Sequence, residues 1–321
     1  MVDNKHTSNR RIIPDIDSTH SSYHVPVLLE ETINGLNIKE DGVYVDCTFG
    51  GGGHSRAILR QLNDSGRLFV FDQDMETMKN LPDDQRVIFL PHNFRHLKRF
   101  LRLNQITKIN GIVADLGVSS HQFDEGNRGF SIRFDGDLDM RMDTRQALTA
   151  DHIVSRYTES QLHKLFEQYG EVTNARTLAK TIVKMRQLAP LRSIANFKNA
   201  VSSAVKGNPN KWFAQVFQAL RIEVNDELGA LKEMLQDVPE VLKTGGRVAI
   251  ITFHSLEDRI VKNFFKRGSF TEEESNPFGQ NTDSIQLTLE TITKKPIVPK
   301  ETELKKNPRS RSAKLRIAEK T

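Results

Sequence analysis

The chain has 321 residues, with 46 Lys and Arg against 41 Asp and Glu for a net charge of +5, and a single cysteine, Cys47. One cysteine excludes an internal disulfide and any cysteine-rich metal cluster built from this chain alone. No apolar run approaches the roughly 18 residues of a membrane span, and the N-terminus MVDNKHTSNRR lacks an apolar signal core, so a cytoplasmic protein with no membrane partner is expected.

Residues 1–22 are polar and aperiodic and predict a flexible tail. From Val43 onward, β-branched and aromatic runs alternate with helical patterns: VYVDC (43–47), RLFVFD (67–72), RVIFL (86–90), GIVAD (111–115) and RVAIITF (247–253) are strands. Helices are predicted between them at His54–Leu62, Asp74–Asn80 and Phe94–Leu103. Apolar strands separated by helices imply an α/β fold with a parallel sheet and right-handed crossovers. The stretch from Asp115 to Arg247 is too long for one crossover, and residues 145–215 read as helix throughout, predicting a helical insertion between two parts of the sheet domain, 23–144 and 216–321. A single long helix is expected from FQALRIEVNDEL to Gly245-Gly246, followed after the fifth strand by SLEDRIVKNFFKR with Ser255 as its N-cap. IQLTLETI and AKLRIAE are expected to close the sheet.

Charge is unevenly placed. Residues 145–215 carry +7 and residues 290–321 carry +6, leaving −8 for the rest. Two basic segments on an acidic body predict a polyanionic partner, with Arg309, Arg311, Lys314 and Arg316 as candidates in the tail.

The sharpest local signal is Asp46-Cys-Thr-Phe-Gly-Gly-Gly-Gly53-His54-Ser, where the first strand turns into the first helix. Glycines there let a ligand approach the backbone, and Asp72 at the end of the second strand has the spacing of a carboxylate that accepts hydrogen bonds from ribose hydroxyls. No lysine follows Gly53, which excludes a phosphate-gripping Walker loop. Strand-end carboxylates at Asp46, Asp72 and Asp115 disfavour a pyrophosphate and favour S-adenosyl-L-methionine, whose sulfonium and ammonium are positive. After the fourth strand, Asp115-Leu-Gly-Val-Ser119-Ser120 lacks the two prolines common in amino-group methyltransferases at this point, but Asp115, Ser119 and Ser120 remain candidate catalytic acceptors for an amine hydrogen. Asp135-Gly-Asp137-Leu-Asp139 begins like a calcium loop, yet Met140 and Gln146 stand where glycine and glutamate are needed. His92 and His96 lack a third metal ligand, so no metal is expected, and Trp212 reads as core.

HVPVLLEETINGL, DCTFGGGGHS, DQD at 72–74, DLGVSS, RGFS with DLDMRMD, FQALRIEVNDEL, FHSLEDRIVK and NPRSRSAKLRIAE occur in that order. In these motifs the chain, from about residue 23 to 321, resembles the bacterial 16S ribosomal RNA cytosine-N4 methyltransferase family. The resemblance implies a Rossmann-like S-adenosylmethionine-dependent methyltransferase sheet with an inserted all-helical subdomain. It implies methyl transfer to N4 of a cytidine in the decoding region, with 16S ribosomal RNA or the small ribosomal subunit as partner; the +7 charge of the helical insertion makes that segment the expected recognition element. It also implies that Gly52, Gly53, His54, Asp72, Phe94, Asp115 and Gln122 bind the cofactor. Gln73 stands where the family commonly has arginine, and His121 where it has proline or an aromatic; residues 1–22 and 268–284 match no motif. An amino-group methyltransferase for another nucleic acid or a protein would use the same cofactor site. A non-catalytic RNA-binding assembly factor would account for the basic segments but not for a complete cofactor site. The oligomeric state stays open, a homodimer included.

Overall fold

The computed structural model describes residues 26–270 and 288–321; the expectations for residues 1–22 and for the front of IQLTLETI lie outside them. Helix α1 (Leu29–Leu36) precedes β1 (Val43–Asp46), α2 (Gly53–Leu59), β2 (Arg67–Phe71), β3 (Val87–Leu90), α3 (Leu97–Leu103) and β4 (Ile109–Asp115). After the short α4 (Ser120–Asp124) come five helices: α5 (Ala150–Arg156), α6 (Glu159–Gln168), α7 (Ala175–Met185), α8 (Ile194–Ala200) and α9 (Pro209–Asn225). The chain then re-enters the sheet through α10 (Glu227–Val241), β5 (Leu242–Thr252), α11 (Ser255–Arg267), β6 (Leu289–Thr291), α12 (Glu301–Lys306) and β7 (Lys314–Lys320).

The sheet order is β3-β2-β1-β4-β5-β7-β6, with the first five strands parallel as expected. It is a Rossmann-like α/β sheet. Successive residues of a strand face opposite sides, so Ile112, Val248 and Ile250 pack with α3, α10 and α11, while Val113, Ala249 and Ile251 pack with α1 and α2. Burial on both faces explains why these strands read as nearly continuous apolar runs. The order reverses between β1 and β4, which opens a crevice at their carboxyl ends.

Several elements differ from their sequence reading. Residues Met75–Asn80 form a 3₁₀ helix capped by Asp74, whose Oδ1 accepts the Glu76 N–H at 3.2 Å, and Phe94–His96 form a 3₁₀ turn ahead of α3. The single long helix is two, broken at Asp226 with φ 46°. The cause is tertiary: Asn225 turns inward, donating to Met140 O at 2.8 Å and accepting the Met142 N–H at 2.7 Å, and Asp or Asn most readily takes the left-handed turn that follows. Gly245 and Gly246 lie within β5, in a bulge between the Ile109–Leu242 and Gly111–Arg247 pairs, not at a helix end. The residue before α11 with extended backbone is His254, so Ser255 is its first helical residue and not its cap.

β7 runs antiparallel between β5 and β6, an order that local patterns do not specify. Its flank is tied down: Arg316 and Lys314 reach Asp258 at 2.6 and 3.2 Å, and Glu303 accepts the Leu28 N–H at 2.8 Å. Helices α5–α9 form their own apolar cluster, from Phe130 to Val224, around Phe166, Leu178 and Phe197. Trp212 belongs to this core, its Nε1–H donating to Asn174 at 2.9 Å.

Candidate active site

The glycine turn after β1 is organised by carboxylates beneath it. Asp46 is buried and does not line the crevice; its two oxygens accept the Thr48 N–H at 3.0 Å and the Ser55 hydroxyl at 2.6 Å, and burial pushes its carboxyl up to about 6. Asp72 accepts the Gly50 N–H at 2.8 Å on one oxygen and the Asp74 N–H at 2.9 Å on the other. Each oxygen keeps a second lone pair, the capacity that a ribose diol requires. Burial raises Asp72 to about 7 against those two donors, with repulsion from Asp74 and Asp46 adding to the shift.

Gly52 has φ +74°, a conformation that side chains resist, and a Cβ there would lie 2.9 Å from the Phe49 ring. Gly53 serves a different end: its Cβ would come 2.0 Å from Pro26, so the absence of a side chain admits the segment before α1. His54 follows with its ring buried, Nε2 bonded to Val27 O at 3.1 Å, and burial lowers the imidazole to about 4. Its Nδ1 stands 3.9 Å from Asp115 Oδ2, too far for a hydrogen bond.

Asp115 ends β4, next to β1. Its N–H donates to Thr48 Oγ1 at 2.7 Å, which locks the turn to the neighbouring strand, but its own Oδ1 is buried with no hydrogen-bond partner among the described residues. Burial first, then the charges of Asp46, Glu257 and Glu303, hold this carboxyl well above the usual range. An orphaned buried oxygen and two carboxyls with raised pKa around a glycine turn suit a cationic ligand, which relieves both penalties. The residues present therefore fit S-adenosylmethionine.

The remaining predicted residues surround this turn. Phe94 opens the 3₁₀ turn after β3, half-buried against the sheet core. Ser119 caps α4: its hydroxyl accepts the Gln122 N–H and Gln122 Oε1 accepts the Ser119 N–H, both at 3.2 Å. Gln122 is buried and donates to Asp74 Oδ2 at 2.7 Å. Ser120 is the first residue of α4, described in its backbone only.

Two groups escaped sequence reasoning. Arg128 of the RGFS motif is buried and meets Asp74 Oδ2 at 2.8 Å, joining the entry to the helical segment with the floor of the site. At the carboxyl end of β5, His254, Glu257, Glu227 and Arg221 form a second ionisable cluster. The ordered motifs RGFS and FHSLEDR were the signal for both, but neither motif states its partners.

Comparison with known proteins yields one family and close relatives. The MraW methylase family matches residues 21–321. "Ribosomal RNA small subunit methyltransferase H" of Parabacteroides distasonis is 50% identical over 308 residues, 95% of this chain and 100% of that protein. The protein of the same name from Bacteroides thetaiotaomicron is 51% identical over 300 residues, 93% of this chain and 98% of its own. That from Flavobacterium johnsoniae is 49% identical over 304 residues, 94% and 99% of the two chains.

Proposed function

Because the chain belongs to the MraW methylase family, we propose that it transfers the methyl group of S-adenosylmethionine to the exocyclic N4 amine of a cytidine in the decoding region of 16S ribosomal RNA. The observation that carries this reading is the carboxyl pair at the crevice, Asp72 beneath the glycine turn and Asp115 with its orphaned oxygen. Such a lining attracts a sulfonium and an ammonium and repels the phosphates of a nucleotide. When bound, the cofactor supplies an electrophilic methyl carbon. Asp72 accepts its ribose hydroxyls, Asp115 faces its positive end, and the backbone of Gly52 and Gly53 allows close approach. The protein must also hold the base splayed out of its stack with the amine lone pair aimed at that carbon, because the lone pair is delocalised into the ring.

The RNA itself is met by positive charge. Arg176, Lys180 and Lys184 are exposed and spaced four residues apart along α7, which puts them in one row on one face of the helical segment. The tail contributes less than its composition suggests. Arg316 is buried against Asp258, Lys314 pairs with the same carboxylate, and Arg309 pairs with Asp124 and covers the Phe123 ring at 5.4 Å. Arg311 alone of the four is exposed without an ion pair among the described residues. Replacing Arg176, Lys180 and Lys184 together with alanine is expected to reduce the slope of log affinity against log salt by about 2 to 3, at roughly 0.7–0.9 per phosphate contact. Filter binding to small-subunit RNA over a salt series measures it; an unchanged slope would make the row a solvated face.

No helix among the described residues is long and apolar enough to cross a membrane. A ribosomal substrate puts the site of action in the cytoplasm. The functional assignment is tested by nucleoside mass spectrometry of small-subunit RNA from cells lacking the gene. Loss of N4-methylated cytidine, restored by the wild-type gene, is expected, and an unchanged level overturns the assignment.

A further inference from the structure

Asp115 shares its side of the sheet with an aromatic ring from the next strand. β4 and β5 run parallel with Asp115 opposite Ile251, and the Leu116 N–H extends the ladder by donating to Ile251 O at 3.0 Å. Side chains alternate along a strand, so Asp115 leaves the sheet on the side of Val113, and Phe253 on the side of Ala249 and Ile251. Val113, Ala249, Ile251 and Phe253 pack in one apolar cluster. Asp115 and Phe253 therefore stand on the same face, one strand apart, at the carboxyl edge.

The loop after β4 leaves an open space against that ring. Gly117 has φ +97°, a conformation that side chains resist. A Cβ built there would meet, beyond its chain neighbours, one atom only within 4 Å: the Phe253 ring, at 3.7 Å. The space over the residue two positions beyond Asp115 is thus empty of protein, and Phe253 is its wall. The ring is half-buried and its backbone is fixed, because the Phe253 N–H donates at 2.9 Å to Oε2 of Glu257, a buried carboxylate in the first turn of α11.

A cytosine drawn out of its stack loses the bases above and below it, and a site that holds it must offer a flat apolar surface in their place. Residues 116–122 contain no phenylalanine, tyrosine or tryptophan, and the His121 ring is drawn to Glu76 at 2.9 Å. Among the described residues, the other aromatics around the crevice are engaged. Phe49 lies buried beneath the glycine turn, edge-on to Phe89, and Phe130 is buried in the helical cluster. The Phe123 ring is covered by Arg309, and Phe94 packs on the opposite face of the sheet.

We propose that Phe253 is the surface on which the target cytosine stacks, with the base entering the slot beside Gly117 and its exocyclic amine lying over the end of β4, toward Asp115. The inference rests on the methyl-transfer reading above. Stacking offsets the unpairing and unstacking of the base, so without it a smaller fraction of bound RNA has its cytosine in place. Contacts elsewhere go on holding the RNA, and the loss falls on kcat.

The test uses the full chain, unmodified small ribosomal subunits and isotopically labelled S-adenosylmethionine. Phe253→Leu keeps the site apolar and removes the flat ring. It is expected to lower kcat about 5- to 150-fold, the range for losing one base–aromatic stack, while calorimetry and filter binding find cofactor and subunit affinities close to wild type. Phe253→Tyr restores the ring and should recover most of the turnover, whereas a side chain needed only for packing would be replaced by leucine at least as well. A further measurement needs no variant. Cytidine 5′-monophosphate at millimolar concentration, added to the wild-type protein with S-adenosylhomocysteine, should give nuclear Overhauser contacts from its base protons to the Phe253 ring. Wild-type kcat in Phe253→Leu, equal losses in the two variants, a fall in cofactor affinity that matches the fall in turnover, or no contact between the nucleotide and this ring each overturns the proposal. A wild-type protein that binds the cofactor and labels no small-subunit RNA overturns the functional reading itself, and the inference with it.

Discussion

Asp115→Asn should weaken S-adenosylmethionine binding about 10- to 150-fold, abolish most turnover, and yet raise the melting temperature of the free protein at pH 8. The first effect is the loss of a charged contact, about 1.5–3 kcal/mol. The second follows from the buried oxygen that has no partner and from a carboxyl held well above its usual range by burial and by Asp46, Glu257 and Glu303. A carboxyl whose folded pKa is raised binds its proton more tightly in the native state, so stability falls as pH climbs from the ordinary carboxylate range through the raised value. Asparagine removes that penalty, so the gain should be larger at pH 8 than at low pH. A rise of roughly 2–6 °C at pH 8 corresponds to about 1–2 kcal/mol in a chain of this size. The same protonation couples to ligand binding. Where a carboxyl is still protonated a cation must expel its proton to gain the charge contact, so wild-type affinity should increase with pH, with the Asp72 contribution centred at about 7. Calorimetry in buffers of different ionisation enthalpy counts the released protons; no release in the wild-type protein would remove both carboxyls from the cofactor site.

Arg128→Met should destabilise the fold by about 3–5 kcal/mol, the cost of leaving a buried charge without its partner. Asp74 is almost fully buried and receives Arg128 at 2.8 Å and the Gln122 amide at 2.7 Å, while the same guanidinium nitrogen donates to the carbonyls of Arg141 and Met142 at 3.1 and 3.2 Å. Truncation therefore leaves a buried carboxylate without its cation and two carbonyls without that donor at once. Arg86→Met, which breaks a peripheral pair with Asp84, serves as the control and should shift the denaturation midpoint far less. Equal shifts for the two variants would show that the buried knot contributes nothing special.

The strands were legible because each is a short apolar run whose two faces are both buried, and burial is what composition records most directly. The glycine turn and Asp72 were legible for a related reason: a strand, a turn and a helix in succession bring their functional groups together through local geometry alone. What escaped depends on partners distant in sequence. The break at Asp226 follows from Asn225 reaching back to Met140 and Met142, and nothing near Asp226 announces it. Ser255 looked like a cap because serine commonly caps helices, yet the extended residue is His254, whose side chain is drawn to Glu257. The ion pairs that engage Arg309, Lys314 and Arg316 also escaped, because composition counts charge without seeing Asp258 and Asp124. Asp46 looked like a ligand-facing acid, whereas Ser55 and Thr48 turn it into a brace for the loop.

The antiparallel strand β7 bears on how the chain is made. Its seven residues follow β1–β6 in sequence, yet they occupy an interior place in the sheet, pairing with β5 along six residues and with β6 on the other side. Until they arrive, β5 offers an open edge of unpaired amides and carbonyls, Asp258 lacks both of its cations, and β6 has no neighbour in the sheet. A nascent chain can collapse its earlier strands in order, but the sheet is completed only once β7 has emerged. A chain cut short before β7 therefore lacks the wedge that closes the sheet, and such a product is left with the exposed edge that proteases and aggregation both exploit.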